Sequence, residues 1–235
     1  MRVIEQQNNT VATTETVVEY SWQYSRQQSI QDEERRKNLK VLIVWAGGIG
    51  SNSTYVLAKQ WIENIKVVDF DTVELENTGS QLYNLSNVWQ PKVEALQKNI
   101  KEFVGADIKI HNWKFTKSMV KGYDVIVLAL DSLEVRKQVV ESAEDYQIIL
   151  DTRMVKKMAQ CICFYGFQKD RWLAEKYTTD DNAIQEAMCT EKAIAFNASI
   201  MAGLVGSLVC DICNNKILKW NYFFDMENYQ LYTYN

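Results

Sequence analysis

The chain has 235 residues, of which 47% are hydrophobic and 24% charged, and this composition excludes a disordered or collagen-like protein. Its formal net charge of −4 argues against a general attraction to nucleic acid or to an anionic membrane. Five cysteines without a secretory signal predict free thiols in a reducing, cytoplasmic compartment, and the only histidine, His111, excludes most histidine-based metal sites and catalytic triads.

The N-terminal part of the chain divides into two segments. Residues 1–22 are polar and show no helical periodicity, so we predict a polar extension followed by one domain over residues 23–235. The segment 23–40 is charged, and its acidic residues 32–34 precede the basic residues 35–37, the order that suits a helix dipole. This pattern predicts a helix with a solvated face.

From residue 40 onward, apolar runs typical of buried strands alternate with stretches typical of helices. The predicted strands are 41–44, 65–70, 108–110, 125–130, 148–150 and 161–165. Helices are predicted at 54–61, 93–103 and 133–143. Alternation of this kind predicts an α/β fold, a doubly wound, Rossmann-like, mostly parallel sheet with helices on both faces and an antiparallel C-terminal portion.

The segment 193–213 is apolar and about long enough to span a bilayer, which takes about 20 residues. Asn197 and Asp211 interrupt it, and small residues such as Gly203 and Gly206 suit close packing in a protein interior. We therefore favour a buried helix packed on the sheet over the alternative of a membrane helix, and predict no membrane partner.

A glycine-rich turn follows the first predicted strand, where residues 46–51 read Ala-Gly-Gly-Ile-Gly-Ser. A turn of this kind at the start of a helix lets backbone N–H groups approach phosphate oxygens. Asp69 ends the next strand, about 20 residues further on, where a ribose hydroxyl needs an acceptor. The combination predicts a nucleotide site without deciding between a dinucleotide and ATP.

Several short motifs occur in order along the chain. They are Tyr24-Ser25-Arg26-Gln27, Gly47-Gly48-Ile49-Gly50-Ser51, Asp69-Phe70-Asp71-Thr72-Val73-Glu74, Asn77, Gln81, Pro91-Lys92-Val93-Glu94-Ala95, Asp131, Arg136 and Cys189-Thr190. In order and spacing they resemble the ThiF/MoeB family of adenylyltransferases, which are related to ubiquitin-activating enzymes. The resemblance covers about residues 24–215, and the motifs at 69–74 and 91–95 are together highly specific for the family.

The resemblance implies an ATP-dependent adenylyltransferase. In this reaction the C-terminal carboxylate of a small ubiquitin-like or sulfur-carrier protein, or of a peptide, attacks the α-phosphate of ATP, giving an acyl adenylate and pyrophosphate. The implied nucleotide-binding residues are Gly47, Gly48, Gly50, Asp69, Asp71, Asn77, Gln81 and Lys92. The implied catalytic residues are Lys92 on phosphate, Asp131 on Mg²⁺, Arg26 reaching the partner's ATP across a homodimer interface, and Cys189 as acceptor of the acyl group or in sulfur transfer.

Each catalytic residue also has a plainer interpretation. Taken alone, Lys92 and Arg26 are surface charges, Asp131 is the N-cap of the helix at 133–143, and Cys189 is a small buried side chain. Only their occurrence together in the family's order favours the catalytic roles.

The implied cofactors are ATP and Mg²⁺, without zinc. Many family members bind structural zinc through two Cys-x-x-Cys pairs. In this chain only Cys210 and Cys213 have that spacing, and they lie within a predicted apolar helix, whereas Cys161 and Cys163 lie in a predicted strand.

Two positions depart from the family pattern because serine replaces a larger polar or charged residue. The family's arginine after the second strand corresponds to Ser80, and the asparagine after the metal-binding acid corresponds to Ser132. Either adenylation is weakened, or Arg26 or Arg153 supplies the missing charge. A catalytically degenerate binding subunit therefore stays open, as does a dinucleotide-binding oxidoreductase built on the same glycine turn.

Three of the seven tryptophans, Trp45, Trp61 and Trp89, stand where the family has glycine. Tryptophan lacks the positive-φ freedom of glycine, and at position 45 it puts an indole where the backbone must approach a phosphate. Nine glycines are also few for a doubly wound domain. We hypothesise that these three codons are UGA, read as glycine in the source lineage and rendered as tryptophan in the translated sequence.

Overall fold

The computed structural model describes residues 24–27, 29–176 and 194–235. In chain order its elements are α1 (Glu33–Asn38), β1 (Lys40–Val44), α2 (Gly48–Lys59), β2 (Asn64–Asp69), α3 (Lys92–Val104), β3 (Lys109–Asn112), β4 (Val125–Leu128), α4 (Leu133–Ser142), β5 (Ile148–Val155), β6 (Met158–Tyr165), α5 (Lys169–Lys176), α6 (Ala195–Cys213), β7 (Asn221–Asp225) and β8 (Gln230–Tyr234). Short 3₁₀ turns lie between some of them. The predicted extension at residues 1–22 lies outside the described residues.

The eight strands form one sheet in the order β3-β2-β1-β4-β5-β6-β7-β8. Neighbours from β3 to β5 run parallel, and those from β5 to β8 run antiparallel. The predicted α/β fold with an antiparallel C-terminal portion is confirmed. Because β2 and β4 flank β1, the winding of the chain reverses there, and folds of this class bind ligands at the carboxyl ends of such strands.

Helices cover both faces of the sheet. Leu57 of α2, Leu96 of α3 and Val205 of α6 belong to one buried hydrophobic cluster. Val139 of α4 and Trp172 of α5 belong to the cluster on the other face. Alternate strand residues contribute to the two clusters because successive side chains in a strand point to opposite faces.

The helix predicted within segment 23–40 is shorter than the segment. Among its described residues the α-helix runs over Glu33–Asn38, and the carboxylate of Asp32 caps its start by accepting a hydrogen bond from the backbone N–H of Arg35 at 2.8 Å. Residues 33–35 and Lys37 are exposed, as predicted for a solvated face, whereas Arg36 is buried with its guanidinium 4.4 Å from the Trp61 ring centroid.

Helix α6 is, by length and composition alone, the one described helix apolar enough to cross a membrane. It nevertheless packs on α2, where the side-chain amide of Gln60 donates to the Gly206 carbonyl at 3.2 Å. The amide of Asn197 donates to the carbonyls of Lys156 and Met158 at 2.8 and 3.0 Å. These contacts make α6 a helix of the protein core, the interpretation favoured from the sequence.

Candidate functional site

The glycine turn connects β1 to the first turn of α2, which begins at Gly48. Gly50 cannot be replaced without rearrangement, because a Cβ there would lie 1.8 Å from the carbonyl oxygen of Trp45. A Cβ on Gly47 would meet no heavy atom within 4 Å. The space beside Gly47 is therefore open, and the backbone N–H groups at the start of α2 are suited to an anion that approaches through it.

Asp69 lies at the end of β2 and is only 1% exposed. One carboxylate oxygen accepts from the Ala46 N–H at 2.7 Å and the other from the Asp71 N–H at 2.8 Å. Burial raises the pKa of Asp69, against the effect of those two hydrogen bonds and of the Lys92 charge. The carboxylate holds the glycine loop to the end of β2, and a ribose hydroxyl would have to use its remaining lone pairs.

Lys92 is the first residue of α3 and is 8% exposed. Its Nζ lies 3.1 Å from the carboxylate of Asp71, and its backbone N–H donates to the Asp71 carbonyl at 2.9 Å. The interpretation of Lys92 as a surface charge is therefore wrong. A nearly buried ammonium at the end of β2 is positioned to bind a second anion beside Asp71.

Gln81 lies in the segment that connects β2 to α3. Two hydrogen bonds join its neighbours to α2, from the Leu82 N–H to Ser51 Oγ at 3.0 Å and from the Asn52 amide to the Ser80 carbonyl at 3.1 Å. The side-chain oxygen of Gln81 is buried without a hydrogen-bond partner among the described residues. Buried oxygens normally have a donor, so this one fits a ligand group that donates.

Two further residues shape the same loop region. The side-chain oxygen of Asn77 accepts from the Glu74 N–H at 2.9 Å and caps a 3₁₀ turn. The hydroxyl of Tyr83 donates to the Ala46 carbonyl at 2.7 Å, and burial raises its pKa well above the usual value, so that it stays a neutral donor. Tyr83 was not identified from the sequence, where it is one aromatic residue in a polar stretch.

Asp131 follows β4 at the same edge of the sheet as the glycine loop. The Ala129 N–H donates to the Val44 carbonyl at 3.1 Å and continues the pairing of β4 with β1. The N-cap of α4 is Ser132, whose hydroxyl accepts from the Val135 N–H at 3.3 Å. The interpretation of Asp131 as the helix cap is therefore wrong, and its exposed carboxylate faces solvent at the edge where a cation could bind.

A buried ion pair between Arg136 and Asp151 lies next to the backbone that leads from β4 to Asp131. One terminal nitrogen of Arg136 donates to Asp151, and the other donates to the Leu130 carbonyl and, at 2.9 Å, to the Thr152 carbonyl. These bonds fix the backbone from β4 to Asp131. Asp151 was missed from the sequence, although it shares with Asp69 and Asp131 the signal of an acid directly after an apolar strand.

Asp151 binds two further donors. Arg153 donates to its second oxygen at 2.8 Å through a terminal nitrogen, and the Trp172 indole donates to the same oxygen at 2.8 Å. Burial by itself would raise the pKa of Asp151, but the charges of Arg153 and Arg136 lower it below its usual value. Arg153, considered from the sequence as a replacement for the missing arginine, is thus already bound to a carboxylate.

The structure does not bring Arg26 to the site within one chain. Arg26 is exposed, and the side chain of its neighbour Gln27 donates to the carbonyl of Lys59, the last residue of α2. A helix of 12 residues is about 18 Å long, so Arg26 lies near the end of α2 opposite the glycine loop. Cys189 lies outside the described residues.

No group of three or more His, Cys, Asp or Glu residues suited to a metal occurs in the described part of the chain. Cys210 and Cys213 lie together on α6, where the Cys210 thiol donates to the Ile30 carbonyl at 3.1 Å. Burial raises the pKa of Cys213 to about 11, which favours the thiol over the thiolate that zinc requires.

The "ThiF family" model matches residues 20–234 of the chain. Among curated proteins, the NEDD8-activating enzyme E1 catalytic subunit of Arabidopsis thaliana is 31% identical over 112 residues, which are 46% of this chain and 25% of that protein. A probable molybdopterin-synthase adenylyltransferase of Porphyra purpurea is 24% identical over 210 residues, 83% of this chain and 53% of that protein. The chain spans about a quarter of the length of the first curated relatives that it matches.

Two solved structures illustrate the structural similarity. E. coli MccB with AMPCPP and MccA superposes with a TM-score of 0.68 at 19% identity, over 86% of this chain and 65% of that chain. PaaA superposes with a TM-score of 0.72 at 19% identity, over 97% of this chain and 76% of that chain. At this level of identity the two matches show a shared fold.

Proposed function

The chain belongs to the ThiF family, and on that premise we propose that it is an ATP-dependent adenylyltransferase that activates the C-terminal carboxylate of a small ubiquitin-like or sulfur-carrier protein, or of a peptide. The observation that carries the proposal is the nearly buried ammonium of Lys92, held 3.1 Å from Asp71 beside the glycine loop. The open space at Gly47 and the unpartnered oxygen of Gln81 also fit a bound nucleotide.

The chemistry of the step explains why these groups are needed. An oxygen of the substrate carboxylate forms a bond to the α-phosphorus of ATP while the bond from that phosphorus to the bridging oxygen breaks, and pyrophosphate leaves with the electron pair. Negative charge grows on the phosphate oxygens, and the Lys92 ammonium and the N–H groups at the start of α2 stabilise it. Asp131 would hold Mg²⁺, which would supply further positive charge to the triphosphate.

We also propose that the protein is located in the cytoplasm. The cysteines Cys161, Cys163, Cys210 and Cys213 are free, although the sulfurs of the first two lie 3.5 Å apart. Free thiols at this distance fit a reducing compartment such as the cytoplasm.

Binding of ATP rather than a dinucleotide tests the nucleotide class. We expect isothermal titration of the chain with glycine at positions 45, 61 and 89 to detect binding of ATP with Mg²⁺ and no binding of NAD⁺, because we place the more highly charged triphosphate against the Lys92 ammonium. Release of pyrophosphate in the presence of candidate carrier proteins then separates an active enzyme from a degenerate binding subunit. Binding of NAD⁺ in place of ATP would contradict the proposal in favour of the oxidoreductase alternative.

We further propose a homodimer in which Arg26 completes the site of the partner, since Arg26 lies at the far end of α2 from its own glycine loop. Arg26→Ala and Lys92→Ala single variants are expected to be poor enzymes, and an equal mixture after subunit exchange is expected to recover up to about a quarter of wild-type activity. The reason is that a mixed dimer contains one site with both defects and one site with neither.

The exposed Arg35 of α1 provides the control, because Arg35→Ala lies in the same N-terminal part of the chain and is expected to keep full activity. Activity is followed by pyrophosphate release, and the oligomeric state by analytical ultracentrifugation. A monomer, or a mixture no more active than either variant alone, contradicts the composite site.

A further inference from the structure

Three tryptophans adopt a backbone conformation that suits glycine. The φ angles of Trp45, Trp61 and Trp89 are 82°, 64° and 73°. Only a few per cent of residues other than glycine have positive φ, and for a bulky side chain the conformation is an outlier. Half of the six non-glycine residues with positive φ in the described part of the chain are nevertheless tryptophans.

Trp61 occupies the position after the C-terminus of α2 that glycine usually takes. The Trp61 N–H donates to the Ala58 carbonyl at 3.0 Å, and the Ile62 N–H donates to the Leu57 carbonyl at 3.1 Å. These two bonds form a Schellman motif, which places a left-handed residue directly after the helix end. The motif therefore calls for glycine where the sequence has tryptophan.

Trp89 occupies the third position of a type II turn. Val88 has φ −54° and ψ 133°, Trp89 has positive φ, and the Gln90 N–H donates to the Asn87 carbonyl at 2.9 Å. A type II turn requires positive φ at this position and normally has glycine there. The Trp89 side chain is 80% exposed, so little packing offsets the backbone strain.

Trp45 is the first residue of the loop between β1 and α2. Its N–H donates to the Val68 carbonyl at 2.8 Å, and its carbonyl oxygen is the atom that excludes a side chain at Gly50. Its indole packs edge to face on Phe70, with ring centroids 5.2 Å apart. The indole thus lies at the carboxyl ends of β1 and β2, the region where the backbone must come close to a nucleotide.

Two other tryptophans combine a packed side chain with an ordinary backbone conformation. Trp172 is fully buried, and its indole N–H donates to Asp151 at 2.8 Å. The Trp220 indole N–H donates to Glu175 at 3.1 Å, and the Arg171 guanidinium lies 3.9 Å from its ring centroid. Neither residue has positive φ, so the backbone strain is confined to Trp45, Trp61 and Trp89 among these five tryptophans.

We propose that positions 45, 61 and 89 are glycine in the protein that the source cells make, because their codons are UGA and are read as glycine. Three unrelated backbone devices, a nucleotide loop, a helix end and a type II turn, each require the same residue and hold the same substitute. One change in decoding accounts for all three. With glycine at position 45, residues 45–50 complete the pattern Gly-x-Gly-x-x-Gly of phosphate-binding loops.

The gene sequence is the direct test. We expect UGA codons at 45, 61 and 89 and UGG codons at 172 and 220, and we expect mass spectrometry of the protein from its source cells to find glycine at the first three positions. A UGG codon at any of the three, or a peptide with tryptophan there, overturns the proposal. Neither readout depends on nucleotide binding, so the result is independent of the proposed adenylyltransferase activity.

The conformational argument has its own test in the recombinant chain. Trp89→Gly is expected to leave the melting temperature unchanged or higher, because glycine relieves the left-handed strain and the indole it removes is 80% exposed. The matched control Trp172→Gly is expected to lower it by about 6 °C or more, because it empties a buried volume. A decrease in melting temperature for Trp89→Gly as large as that for Trp172→Gly overturns the assignment of glycine to that turn.

Discussion

Replacing Lys92 with alanine is expected to lower the exchange of labelled pyrophosphate into ATP by about a hundredfold or more, the usual effect of removing one group that stabilises a developing oxyanion. The ammonium lies at the first residue of α3 beside the glycine loop, where no other described lysine approaches Asp71. The measurement uses the chain with glycine at positions 45, 61 and 89. Exchange is expected only when the carboxylate substrate is present, since the reverse reaction needs the acyl adenylate.

Lys98 on the same helix provides a matched control. Its side chain is 63% exposed and pairs with Glu102 one turn further on, so Lys98→Ala is expected to keep full exchange. The sequence alone had suggested a surface-facing lysine, whereas the side chain of Lys92 is only 9% exposed. The Asp71 side chain that its removal leaves unpaired is 38% exposed and can be hydrated, so we expect Lys92→Ala to lose about 1 kcal/mol of stability or less. Thermal unfolding must show that the variant is folded at the assay temperature. Full exchange in this variant removes Lys92 from the site.

The parts of the fold that follow from local signals were predictable from the sequence. The apolar runs of β1, β2 and β4 are short and continuous, and the glycines at 47, 48 and 50 mark the turn after the first strand. The position of Asp69 beside the glycine loop was predictable because this residue ends the strand that follows the loop, while its contact with a ribose stays a prediction. These signals need only neighbouring residues, so the α/β fold and the position of the glycine loop could be stated without coordinates.

Features that depend on distant residues were not predictable. The hairpin of β5 and β6 runs to Val155 and Met158 because antiparallel pairing extends both strands through polar residues. The burial of Lys92 results from its place beside Asp71, which is 21 residues earlier in the chain. The role of Asp151 needs Arg136 and Trp172 on two different helices. Spacing along the sequence carries no signal for such contacts.

Replacing Asp151 with asparagine is expected to lower the free energy of unfolding by about 3–5 kcal/mol, the usual cost of breaking a buried ion pair. Asp151 is fully buried, and the two guanidiniums of Arg136 and Arg153 depend on its negative charge. The amide keeps the shape of the side chain but leaves the buried cation of Arg136 and the partly buried cation of Arg153 without compensation. Such a loss is a large share of the roughly 5–15 kcal/mol by which domains are stable, and urea unfolding measures it directly.

The surface pair of Lys101 and Asp107 provides the control for this prediction. Its nitrogen and oxygen are 2.7 Å apart, but the Asp107 side chain is 85% exposed, so Asp107→Asn is expected to cost less than about 1 kcal/mol.

The pH dependence of stability gives a second readout for Asp151, because the folded state holds the pKa of Asp151 below its usual value. The stability from Asp151 is then present above the unfolded pKa of about 3.9 and is lost as the pH falls through the folded value. The wild-type chain should lose this component in acid while Asp151→Asn, which never had it, should not. Equal losses in the Asp151 and Asp107 variants at neutral pH would mean that the buried network does not support the backbone that carries Asp131.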